Sequence, residues 1–152
     1  PNAGLSITTD GIILNPPYGS AHYSGSNDIV TIAAREKAHF NVSGISRGIT
    51  YNDGVSGFTL DTSGLYSVNI FFGMSDAAQG GTSLSLQDHT SDTKLLTTYT
   101  YGMAQTRISG IINGAAGSCY NVINNGPCAF VFANATNQSD NRLEIIYMGK
   151  GY

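Results

Sequence analysis

Apolar residues recur at every second position over much of this chain, and the runs are short. In residues 57–72, Phe58 and Leu60 share a face at period two. The polar tetrad Asp61-Thr62-Ser63-Gly64 follows, and 65–72 is rich in aromatic and β-branched residues. This predicts a short strand, a tight turn and a longer strand, with Gly64 free to take positive φ. Runs of the same character occupy 29–33, 40–42, 45–51, 82–87, 94–101, 107–112, 118–123, 128–132 and 142–148. Asn52-Asp53-Gly54, 88–92 and 134–141 read as turns. Residues 34–39 carry charges and are too short for a stable helix, so they read as a turn between strands. About ten antiparallel strands without a helix make the chain all-β, a sandwich or barrel.

The first 28 residues differ. Residues 5–7 and 11–14 can form short strands, but Asn15-Pro16-Pro17-Tyr18-Gly19 breaks them, because consecutive prolines cannot lie inside a sheet. Residues 20–28 are polar. The expectation is an N-terminal arm or edge segment over 1–28 and a folded domain over 29–152.

Composition narrows the class. At 152 residues the chain fits one domain with a substantial core. Charged residues are 11% of it, so the surface must be built from neutral polar groups. That composition suits β-proteins of virion and extracellular surfaces. Seven basic residues are scattered and the net charge is −3, which leaves no nucleic-acid footprint. No apolar run approaches the ~20 residues of a membrane helix, so membrane insertion is not expected.

Little chemistry stands out. His22, His39 and His89 have no metal-ligand spacing, and no C-x-x-C motif occurs. Most aspartates lie beside Gly, Ser or Asn, where they cap turns. Asp88 and Asp92 share one hairpin tip that can at most bind calcium weakly. No catalytic residue, metal or cofactor is expected. Cys119 and Cys128 flank eight residues ending in Asn-Asn-Gly-Pro. They read either as a disulfide closing a small loop or as two buried free thiols. Asn41, Asn134 and Asn137 match the N-glycosylation pattern, which matters only in a eukaryotic secretory pathway.

The segment running from Phe58 to Gly64-Leu65-Tyr66 resembles the middle of C1q/TNF-like domains. Leu84-Ser85-Leu86 is similar to the family strand that ends in a polar hairpin, and 143–147 to its last core strand. The resemblance spans 29–152 and implies a jelly-roll β-sandwich that forms a non-enzymatic homotrimeric head. No calcium-site or receptor-contact motif of the family is matched, so fold and trimer tendency alone carry over. Such trimers pack through aromatic and aliphatic residues of one sheet. Tyr66, Phe72, Tyr99, Tyr101, Tyr147 and Tyr152 are the candidates here, with the bland alternative that about half fill the core. Together with the low charge and the arm, this gives an expected role on a virion or extracellular surface. The chain would be a capsid decoration or fibre-head protein whose arm clasps a capsid or particle protein. The alternative is a trimeric receptor- or carbohydrate-binding head. Tyr18, Tyr23, Tyr99 and Tyr101 would then stack on a cell-surface glycan, with avidity from three sites.

Overall fold

The computed structural model describes residues 4–8, 11–22, 30–40, 42–73, 81–100, 105–127, 130–132 and 141–150. They form fourteen strands: β1 Gly4–Thr8, β2 Gly11–Asn15, β3 Tyr18–His22, β4 Val30–Ile32, β5 Val42–Arg47, β6 Ile49–Asn52, β7 Gly57–Leu60, β8 Gly64–Gly73, β9 Thr82–Asp88, β10 Lys94–Thr100, β11 Gln105–Gly114, β12 Cys119–Asn124, β13 Phe130–Phe132 and β14 Asn141–Gly149. A single 3₁₀ turn, Asp53–Val55, is the only helical segment among the described residues. Ten strands build two five-stranded sheets, ordered β10-β9-β12-β7-β6 and β11-β8-β14-β3-β5. The strand pairs β1-β2 and β13-β4 stand apart as two-stranded ladders. Every pairing is antiparallel.

The alternation read from sequence becomes burial. In β8, Tyr66, Val68, Ile70 and Phe72 point inward and are fully buried, while Leu65, Ser67, Asn69 and Phe71 lie on the opposite face. Leu84 and Leu86 of β9, Ile108 of β11, Val122 of β12, and Leu143 and Ile145 of β14 complete the interior between the sheets. Each such side chain contributes roughly 1.5–3 kcal/mol by leaving water. Rings interlock there: Phe40 lies 5.9 Å from Phe72, and Phe58 stacks on Tyr120 at 5.6 Å.

The segment 57–72 is a crossover. β7 belongs to the first sheet and β8 to the second, so the turn at 61–63 carries the chain from one layer to the other. Gly64 makes this possible. Its φ is 155°, and a Cβ there would lie 2.4 Å from the Gly149 carbonyl oxygen. The stretch 45–51, expected as one strand, divides at Gly48 (φ 68°) into β5 of the second sheet and β6 of the first.

The N-terminal segment contributes a strand to the second sheet. Residues 18–22, read as part of a polar arm, form β3, which pairs with β14 on one side and β5 on the other. The sheet therefore includes part of the segment assigned to the arm. The diproline falls in the connection before β3, which is where such a pair is tolerated. Residues 34–39 do turn, and they then run beside β12. There Arg35 N donates to Asn124 O and Ala38 N to Val122 O.

Residues 119–124 form β12, where the 118–123 run placed a strand, and β12 pairs with β9 and β7 in the middle of the first sheet. An extended strand carries the chain away from Cys119, because each residue advances about 3.3 Å. The Cys119 thiol is free and half-buried. Cys128 lies outside the described residues, as do Tyr23, Tyr101, Tyr152 and the three sequon asparagines.

Candidate interaction surfaces

The outer face of the second sheet is built by the odd positions of β8 and β11 and the even positions of β14. Register sets Ile111 opposite Ser67, Ser67 opposite Ile146, and Ile146 opposite Tyr18, forming one row across four strands. Side chains so paired are 4.5–5.5 Å apart at Cβ. Ile111 is 57% exposed and Ile146 38%, while Tyr18 is half-buried. Met148, 58% exposed, and half-buried Leu65 extend the apolar surface at the end where β14 bulges between Tyr147 and Gly149. Single exposed aliphatics are ordinary; a contiguous group on one flat sheet face marks an interaction surface.

Two rows further along, the same face changes character. Arg107 and Arg142 flank Phe71 in the ladder, and both guanidinium carbons lie over its ring, at 4.7 and 4.5 Å. Arg107 also donates to Asn69 Oδ1, and Arg142 Nε approaches Glu144 Oε1 at 3.9 Å. The face therefore has an apolar end and a polar end that carries two guanidinium groups and one carboxylate.

The sequence missed this surface because tyrosines drew attention instead. Tyr66 and Phe72 point into the sandwich and are fully buried, which removes them from any exposed interface. Tyr147 is partly buried against the core. A better signal was present. Ile111-Ile112 and Ile145-Ile146 place apolar side chains on both faces of a strand, where strict alternation demands a polar residue.

A second feature lies at one end of the first sheet. Gly81, Thr82, Ser83, Tyr99, Thr100, Asn125, Gly126 and Pro127 line an open groove of about 390 Å³. Of the sequence-selected ligand contacts, Tyr99 lines this groove and is 79% exposed, whereas Tyr18 belongs to the other sheet. The groove wall is fixed by Asn124, which is fully buried. Its Oδ1 accepts from Thr82 Oγ1 at 2.5 Å and Gly126 N at 3.0 Å. Its Nδ2 donates to the carbonyls of Ile32 and Ala33 at 3.0 and 3.2 Å. Asn125 N donates to Ser83 O at 2.7 Å, tying the two sides together. The Asn125 Nδ2 has no hydrogen-bond acceptor among the described residues.

The titratable groups do structural work. Asp88 Oδ1 accepts from the backbone N–H of Ser91 and Thr90, both at 2.9 Å. The Ser91 bond foremost holds its carboxyl below the usual carboxylate range. Asp92 accepts from Gln87 Nε2 at 3.2 Å, so both carboxylates serve the turn. His39 meets Ser56 Oγ at 2.8 Å, and His89 meets Lys37 and Asn121. Among the described residues no three His, Cys, Asp or Glu side chains gather as metal ligands. No helix among them is long and apolar enough to cross a membrane.

By sequence, no family model and no curated protein matches the chain. Solved structures do resemble it. The Eiger TNF of S. frugiperda aligns with a TM-score of 0.63 at 12% identity, covering 90% of this chain and 96% of that one. The globular domain of zebrafish complement 1qA protein aligns with a TM-score of 0.58 at 11% identity, covering 89% and 99%. The fold is a C1q/TNF-like jelly roll, as the 57–72 segment implied.

Proposed function

We propose that this chain is a non-enzymatic, homotrimeric head domain displayed on a virion or other extracellular particle, which it decorates or stabilises. The observation that carries the reading is the apolar group on the outer face of one sheet, exposed Ile111, Ile146 and Met148 with half-buried Tyr18 and Leu65. Copies of the chain that bury this face against one another remove it from water, and assembly then adds to stability by mass action. The polar end of the face, with Arg107, Arg142 and Glu144, sets the register of such an assembly by charge and hydrogen bonding. The neutral polar surface supports the outdoor setting. The hairpin β1-β2, whose ladder joins no other strand among the described residues, is the segment left to clasp a particle protein.

The test is oxidation footprinting of Met148. Dilute peroxide at micromolar protein should modify Met148 slowly in the assembled chain and several-fold faster in Ile146→Glu. Equal rates in both proteins would contradict burial of this face. Deleting residues 1–15, which spares β3, should abolish particle attachment while leaving assembly intact. A second reading, a glycan- or receptor-binding head, is favoured by one observation: the groove beneath exposed Tyr99.

A further inference from the structure

We infer that the groove lined by Gly81, Ser83, Tyr99, Thr100, Asn125 and Pro127 binds a neutral saccharide. This deepens the glycan-binding reading and is independent of the assembly face, which belongs to the other sheet.

Three features define the ligand. Among the described residues the lining holds no Lys, Arg, His, Asp or Glu, so a ligand charge would have no counterpart among them. The size, about 390 Å³, lies at the small end of ligand sites, which run from roughly 300 to 1,000 Å³. The polar groups are hydroxyls, amides and backbone, and one exposed aromatic ring stands beside them. A ligand that suits this set is neutral, rich in hydroxyls, and has an apolar C–H face to lay on Tyr99. A pyranose has all three properties. A ring that is 79% exposed loses a large apolar area when a sugar covers it.

The site is also pre-organised. The four hydrogen bonds of Asn124 anchor the Thr82 and Gly126 sides to each other and to the 32–33 segment, so binding need not order the wall.

The test titrates the ¹⁵N-labelled chain with lactose, maltose, mannobiose and N,N′-diacetylchitobiose, following the amides of Ser83, Thr100 and Gly126. At least one sugar should move these signals saturably. Tyr99→Ala should weaken that binding about tenfold, a loss of ~1.4 kcal/mol, because the stacking face is gone. Tyr99→Phe, which keeps the ring, should retain it within about twofold. Both variants change an exposed position, and unchanged spectra elsewhere would show that they fold. Groove amides unmoved by every sugar, or full binding in Tyr99→Ala, would overturn the inference. Loss in Tyr99→Phe equal to that in Tyr99→Ala would overturn the stacking role. None of these outcomes touches the assembly state, which is read by mass.

Discussion

Tyr66 and Tyr147 meet edge to face, with ring centroids 5.2 Å apart and planes at 63°. The Tyr66 hydroxyl then reaches back to the Thr62 carbonyl at 2.5 Å. One buried ring thus joins the crossover turn, the core and the last strand. Burial, first of all, pushes the Tyr66 phenol up to about 12, with Tyr147, Asp61 and Tyr120 adding to it.

A pH dependence follows from that shift. The folded value lies above the unfolded value near 10, so the neutral phenol favours the fold. Its contribution is complete below about pH 10 and fades as pH rises toward about 12. Tyr66→Phe should lose roughly 1 kcal/mol at neutral pH with the Thr62 bond, and should flatten this alkaline decline. Urea unfolding at several pH values checks both.

Asn124→Ala should be severely destabilising. It removes the partner of Thr82 Oγ1, Gly126 N and two carbonyls at a fully buried site. A loss of about 3 kcal/mol is expected, measured as a lower denaturant midpoint. Asn124→Asp should also fail to restore stability, since it turns an acceptor toward the Ile32 and Ala33 carbonyls.

Gly64→Ala should cost roughly 1–3 kcal/mol through overpacking. The added Cβ would be 2.4 Å from the Gly149 oxygen and 2.5 Å from Tyr147 Cε2, at a φ of 155°. Thermal unfolding should report a lower Tm, while Gly117→Ala, with an open Cβ position at a φ of 80°, should cost the backbone strain without the overpacking.

The layers of this fold were legible because its strands alternate. Phe58, Leu60 and the even positions of β8 lie where the period places them, and Gly64 turns as its chemistry demands. β3 was not legible: Tyr-Gly-Ser-Ala-His is short, polar and follows two prolines, and neighbours on both sides supply its stability. The interaction faces were only half legible. Tyr66 and Tyr99 are the same residue type, yet one is fully buried and the other 79% exposed. Residue identity does not decide that; strand register does. The groove escaped notice because it joins Thr82, Thr100 and Asn125, which are brought together only by the pairing of β9 with both β10 and β12.

The central claim is that the Ile111–Ile146 face joins copies of this chain. Sedimentation equilibrium across the micromolar range tests it most directly. The account predicts a mass three times the 16.0 kDa of one chain, falling to a single chain mass in Ile146→Glu with its β-rich circular dichroism unchanged. A wild-type chain that stays at one chain mass throughout, or an Ile146→Glu variant that still trimerises, would contradict it.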